Sequence, residues 1–151
     1  MALILDFTAF LSSSVVGGLV AGFVALRSSE RKIQIENVTQ ERAKWREKIR
    51  CKSVEVHKTA VADNSARLAE LHLEFSLNLN PFHQEDNGIL AVIDTLNNRD
   101  TLDVKLSEFA NRVALLLKHD WERAKHEAKP LFFRWCPPKR TTYAKFKGNS
   151  Y

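Results

Sequence analysis

Two groups of side chains in this sequence have the composition of a catalytic or metal site. His119, Glu122 and His126 follow one another at i, i+3 and i+7, a spacing that brings them to similar sides of a helix. In a second segment, His83 closely precedes an acidic pair, Glu85 and Asp86. Because imidazoles and carboxylates bind zinc and exchange protons, either group is a candidate for metal-assisted hydrolysis.

Neither group matches a specific catalytic signature. The sequence has no His-Glu-x-x-His motif, no glycine-rich phosphate loop and no nucleophile elbow. Its two cysteines, Cys51 and Cys136, lie too far apart for the usual zinc spacing. We therefore predict that the protein is not an enzyme and that it uses no cofactor or metal, with a membrane-tethered hydrolase using residues 119–126 as one alternative.

An uncharged run at residues 7–26 predicts a transmembrane helix. At 1.5 Å per residue, about twenty residues cover roughly 30 Å, the thickness of a bilayer's hydrocarbon core. A signal peptide would place positive charge before the run and a small-residue cleavage site after it, and this order is not found. Lys and Arg are absent before the run and frequent over residues 27–58, which predicts a single pass with the N-terminus outside and the C-terminus cytosolic.

Small residues recur at helical spacing within this run. Gly, Ala and Ser at every fourth position let two helix backbones approach closely, which is how membrane helices pack. The sequence therefore predicts a homo-oligomer. The predicted oligomerisation residues are Ser14, Gly17, Gly18, Ala21, Gly22 and Ala25.

Residues 28–128 are predicted to form a cytosolic helical bundle. Residues 28–62 contain no Pro or Gly and are rich in helix formers. The charged segment around Trp45 is either a solvated helix face with one buried Trp or a surface that receives a cytosolic protein partner. The predicted partner-binding residues are Glu41, Arg42, Lys44, Trp45, Arg46 and Arg50.

The segment at residues 71–79 is open to two interpretations. Apolar and polar residues alternate there, as in a strand, yet Leu68, Leu71 and Phe75 also share one helix face. A strand needs a partner and the sequence has no second alternating run, so helix is the prediction. A loop over residues 81–88 then leads to a short apolar helix.

A long amphipathic helix is predicted from Asp100 to about Ala128, and its apolar stripe ends at Trp121. The predicted fold class is therefore all-α, with one N-terminal transmembrane helix (residues 1–27) followed by a small cytosolic helical bundle (residues 28–128).

Residues 129–151 form a basic and aromatic C-terminal tail. Its six Lys and Arg residues are balanced by no Asp or Glu. Such a segment suits anionic lipid headgroups, while nucleic acid and the protein's own bundle are the alternative partners. The predicted membrane-surface residues are Lys129, Phe132, Phe133, Arg134, Trp135, Lys139 and Arg140.

Three sequence motifs resemble those of a group of small single-span bacterial and prophage membrane proteins. They are Glu-Arg-x-Lys-Trp-Arg-x-x-Ile-Arg at residues 41–50, Leu-x-Leu-Asn-Pro at residues 77–81 and Lys-x-x-Trp-Glu-Arg-x-Lys at residues 118–125. The resemblance implies an inner (cytoplasmic) membrane setting and a role in phage conflict or defence. It implies no catalytic residue.

The functional prediction is a single-pass membrane anchor or effector that acts through oligomerisation and partner binding. A phage holin-type lysis protein is a further alternative, since a holin also combines a span with a charged cytosolic end.

Overall fold

Helices make up nearly all of the described chain. The structure is a computed structural model that describes residues 2–129 and 134–149, with no side-chain description for residues 2–15, 31 and 34. Within these residues there is no strand, which confirms the all-α prediction. The helical interpretation is confirmed for residues 71–76, whereas residues 77–79 lie beyond the end of α2. The helices are α1 (Ala2–Val61), α2 (Ser65–Ser76), α3 (Gln84–Thr95), α4 (Leu102–Ala128) and α5 (Tyr143–Gly148), with a 3₁₀ turn at Arg99–Thr101.

The chain divides into two compact units, Met1–Arg42 and Ala43–Tyr151, and this division differs from the predicted boundaries at residues 27 and 128. The first unit consists, in its described part, of the N-terminal two thirds of α1. The second unit contains the end of α1 and the other helices.

The predicted transmembrane helix is wrong for the residues that the structure describes. Described side chains begin at Val16, and the apolar stretch ends at Leu26, before Arg27 and Glu30. These eleven residues rise about 16 Å as a helix, roughly half of a bilayer's hydrocarbon core. Among the described helices, none combines the length and the apolar composition that a membrane crossing needs. The side chains of residues 7–15, the rest of the predicted span, lie outside the description.

The single-pass inner-membrane localisation, with the N-terminus outside and the C-terminus in the cytosol, depended on that helix. It is therefore wrong on the same finding.

One hydrophobic core unites the end of α1 with α2, α3 and α4, which together form the bundle of the second unit. Ile49 and Val56 of α1, Phe75 of α2 and Ile89 of α3 are completely buried. Phe75 meets Phe109 of α4 edge to face, with ring centroids 5.7 Å apart. Each helix of the bundle thus buries one apolar stripe, as amphipathic helices do. The remaining core residues are Ala60, Leu68, Leu71, Leu79, Val92, Ile93, Leu96, Leu102, Leu106, Val113 and Leu116.

The reversal between α1 and α2 is set by capping. Asp63 adopts a left-handed conformation (φ 60°), and the Asn64 N–H donates to the carbonyl of Thr59 at 3.2 Å. This is the hydrogen-bond pattern of a Schellman motif, which satisfies the last carbonyls of a helix. The Asn64 side chain also accepts from the Arg67 N–H at 3.0 Å, so Asn64, and not the adjacent Ser65, is the N-cap of α2.

α3 begins earlier than the sequence predicts. The loop was expected to reach Gly88, but the helix starts at Gln84 because the His83 ring accepts a hydrogen bond from the Glu85 N–H at 3.2 Å. As a result, all three members of this candidate group lie at the N-cap and in the first turn of a helix.

Candidate protein-interaction surfaces

Two of the predicted partner-binding residues stabilise the bundle, and most of the others are exposed. The Trp45 ring N–H donates to the carbonyl of Asn78 at 3.0 Å, and Arg46 forms a 2.8 Å ion pair with Asp120. The Arg46 side chain is only 10% exposed, so Trp45 and Arg46 hold the bundle together. Of the remaining four, Glu41, Lys44 and Arg50 are exposed and Arg42 is half-buried.

A groove lies between α1 and α4 in the second unit. Its upper part, at the Trp121 end, is a cavity of about 680 Å³ lined by Arg46, Arg50 and Lys118 among others. Its lower part, about 630 Å³, is lined mainly by apolar side chains such as Val54. Arg50 and Leu117 line both cavities, so the two parts are continuous. We call this feature the α1–α4 groove.

Trp121 departs from its predicted role in the core. The sequence places it at the end of the apolar stripe of α4, yet the residue is 51% exposed. The Arg46 guanidinium lies 5.5 Å from its ring centroid and the Lys125 ammonium lies 4.9 Å away. Trp121 is therefore an accessible ring bordered by two cations, and such a residue commonly anchors a protein partner.

The first unit carries a second apolar surface, which the sequence analysis missed. Five large apolar side chains follow one another along α1 at alternating steps of three and four residues. The last step is longer, because Glu30 occupies the intervening position. Each of the five side chains is 55–69% exposed. Such spacing is that of a coiled-coil seam. We call these residues the α1 seam; they are Val16, Leu19, Phe23, Leu26 and Ile33.

The predicted small-residue stripes lie mainly on the other side of the helix from the α1 seam. A Cβ added at Gly17, Gly18 or Gly22 would meet nothing within 4 Å. Ala21 and Ala25 are exposed as well, whereas the Ser14 side chain lies outside the description. These positions are open surface in a single chain.

Part of the basic tail packs on the protein's own bundle. Arg140 forms an ion pair with Asp86 of α3, and the two side chains are 8% and 6% exposed. The Arg112 guanidinium lies 4.2 Å from the centroid of the Tyr143 ring. The Glu85 carboxylate accepts from the Tyr143 backbone N–H at 3.1 Å. We call this arrangement the tail anchor; Arg140 is buried in it and does not belong to an exposed lipid-facing surface.

The other predicted membrane-surface residues have separate positions. Arg134 donates to the backbone carbonyls of Glu127 and Lys129, which supplies partners for the C-terminal carbonyls of α4. Trp135 is 85% exposed, and Lys129 and Lys139 are exposed as well. The prediction also included Phe132 and Phe133, which lie outside the described residues.

In the described part of the chain, where no cluster of three potential metal ligands is found, neither candidate group forms a metal centre. In the group on α4, the His119 Nδ1 and the His126 Nε2 are buried without a hydrogen-bond partner. In the other group, Asp86 pairs with Arg140, and Glu85 bonds to Tyr143 and lies 3.5 Å from Arg112.

Acid is expected to weaken the bundle through His119. Burial, together with the charges of Arg140 and Arg123 and the nearby His83, holds the pKa of His119 below its ordinary value. The unfolded chain therefore binds a proton at His119 more tightly than the folded chain does. The contribution of neutral His119 to the free energy of unfolding is complete above about pH 6.5 and is lost as pH falls through the folded-state pKa. Urea unfolding at about pH 8 and about pH 5.5 should show a smaller acid loss for His119→Gln than for the wild type. An equal loss in both proteins would contradict this role.

Comparisons with known proteins give no relative from which a function could be transferred. No protein-family model matches the chain, and searches of curated proteins and of solved structures found no match. The class that the structure itself defines is an all-helical protein whose second unit is a bundle with one hydrophobic core.

Proposed function

We propose that the protein is a non-enzymatic assembly protein whose chains associate with one another through the α1 seam. The observation that supports this function is the exposure of five large apolar side chains on one seam of a helix. A helix with an apolar stripe is normally packed against another element. In the first unit, the structure describes only this helix, and we infer that a second chain covers the seam.

A second copy of the chain is the partner that fits this seam. An apolar seam with knob-forming side chains at alternating steps of three and four packs against an identical seam in a coiled coil. Such an interface is symmetric, since each residue meets its equivalent or a neighbour of it. Over residues 16–26 the seam has no charged residue that would select a different partner.

Burial of the seam can offset the cost of association. Full burial of a Val, Leu, Ile or Phe side chain contributes about 1.5–3 kcal/mol. Five such side chains from each of two helices, even half-buried, contribute an amount comparable to the roughly 4–15 kcal/mol that association costs. Glu30 interrupts the seam before Ile33, and polar residues at such positions set register at a cost in stability.

Replacing two seam residues with charged ones should abolish the association. In Phe23→Glu/Leu26→Glu, each chain would place two carboxylates in the interface, so the dissociation constant should rise about a hundredfold or more. Sedimentation equilibrium of the full chain measures this constant, and circular dichroism checks that the bundle is still folded.

The matched control is Ala21→Glu/Ser28→Glu, which adds the same charge to exposed positions on the opposite side of α1. This control should keep the wild-type mass. A monomeric wild type, or a seam variant that associates as well as the wild type does, would refute the proposal. If only the Ala21 and Ser28 variant dissociates, the interface is the small-residue face instead.

A further inference from the structure

The α1–α4 groove has the length of a helical binding site. Its walls run from Ala43 to His57 on α1 and from Leu106 to Trp121 on α4. Fifteen or sixteen residues of helix rise about 23 Å, which is about four helical turns. A groove of this length between two helices can receive one further helix lying along it.

The lower part of the groove suits large apolar side chains. Val54 on the α1 wall is 55% exposed, and the α4 wall exposes Ala110 and Ala114. The small alanines leave space above the buried Phe109 and Val113. Because helices present apolar residues at i, i+4 and i+7, these walls fit a helix better than a nucleic-acid backbone, whose phosphates would gain nothing from them.

The upper part of the groove favours an acidic group. Its lining holds three cationic side chains, Arg46, Arg50 and Lys118, and each of them has a carboxylate partner in Asp120, Glu47 and Glu122 respectively. Arg46 is committed to Asp120, but the Arg50–Glu47 and Lys118–Glu122 pairs are exposed and long, at 3.4 and 3.9 Å. Such exposed pairs contribute little, so Arg50 and Lys118 can exchange their partners for another carboxylate at small cost.

We propose that the α1–α4 groove binds an amphipathic helix of a protein partner. The partner's apolar face lies against Val54, Ala110 and Ala114, and a carboxylate at one end of that face meets Arg50 and Lys118. Trp121 is half exposed and lines the same cavity as Arg50 and Lys118, so it packs on the carboxylate end of the partner helix and shields the charge pairs from water. This surface belongs to the second unit and does not depend on the α1 seam.

Selection from a library of displayed helical peptides of about sixteen residues, with the full-length protein as target, tests the proposal. The expected consensus has apolar residues at i, i+4 and i+7 and Glu or Asp at one end. A synthetic consensus peptide should then bind, by fluorescence anisotropy, roughly tenfold or more tightly than the same peptide with Lys in place of the acidic residue.

Matched variants locate the binding site. Val54→Glu should weaken the consensus peptide roughly tenfold or more, whereas Leu73→Glu, at a residue of similar exposure on α2, should leave its affinity unchanged. Arg50→Glu/Lys118→Glu should reverse the preference, so that the Lys peptide binds more tightly. Phe23→Glu/Leu26→Glu should bind the consensus peptide normally, which separates this result from the test of self-association.

Three outcomes would overturn the proposal. The first is a selection that enriches no peptide above a scrambled library. The second is a consensus peptide that binds Val54→Glu as well as it binds the wild type. The third is the loss of self-association in Val54→Glu, which would show that a second copy of the chain occupies the groove.

Discussion

Asp86→Ala is expected to lower the free energy of unfolding by about 3–5 kcal/mol, the usual result of removing one partner from a buried ion pair. Its carboxylate is 6% exposed and pairs with Arg140, which is 8% exposed. The same carboxylate accepts from the Asn80 N–H at 2.9 Å. The variant leaves a buried guanidinium and a backbone donor without this partner, and both are costly. Urea unfolding, followed by circular dichroism, measures the difference.

Two controls separate charge from packing in that experiment. Glu47→Gln disrupts an exposed ion pair with Arg50 and should cost less than about 1 kcal/mol. In Asp86→Leu/Arg140→Met both charges are replaced by apolar groups, so this double variant should recover most of the stability that Asp86→Ala loses. A loss below about 1 kcal/mol for Asp86→Ala would show that the tail anchor contributes little to the bundle.

The tail anchor also predicts a local effect. Because Arg140 ties the C-terminal segment to α3, its release should speed tryptic cleavage after Lys139, which is exposed in the folded protein. We expect faster cleavage in Asp86→Ala than in Glu47→Gln under conditions where both bundles remain folded. Equal rates would mean that other contacts, such as those of Tyr143, hold the segment in place.

Helical periodicity was sufficient to predict most of the bundle. The stripe at Leu68, Leu71 and Phe75 is buried as expected, and α4 ends at Ala128 as expected. These features depend on residues within one helix, where local sequence carries the signal. The start of α3 was misplaced because a His N-cap is uncommon, so His83 gave no recognisable helix start.

The surfaces could not be predicted because they depend on residues that are distant in sequence. Arg140 and Asp86 are separated by 54 positions, and no local pattern links a basic tail residue to the first turn of a short helix. The groove likewise depends on where α1 and α4 lie, which decides that Trp121 faces solvent. The α1 seam could be predicted from the sequence, because its spacing is local. However, the same residues belong to an uncharged run, which favoured a transmembrane helix instead.

Phe75→Ala should cost about 3–5 kcal/mol of unfolding free energy, as large-to-small changes of buried aromatic residues do. The side chain is completely buried and has the largest volume among the fully buried residues. Its edge-to-face contact with Phe109 adds to this loss, because such pairs contribute about 0.5–1.5 kcal/mol beyond the burial of their area. Urea unfolding of the full chain, followed by circular dichroism, measures this loss.

Phe75→Leu is the matched control, since it keeps most of the apolar volume and removes only the ring. It should cost clearly less than Phe75→Ala. A double-mutant cycle with Phe109→Leu then isolates the contact between the rings, and the expected coupling is about 0.5–1.5 kcal/mol. A coupling near zero would mean that the 5.7 Å arrangement contributes only through the area it buries. If Phe75→Ala itself costs less than about 1 kcal/mol, the bundle's core does not centre on this residue.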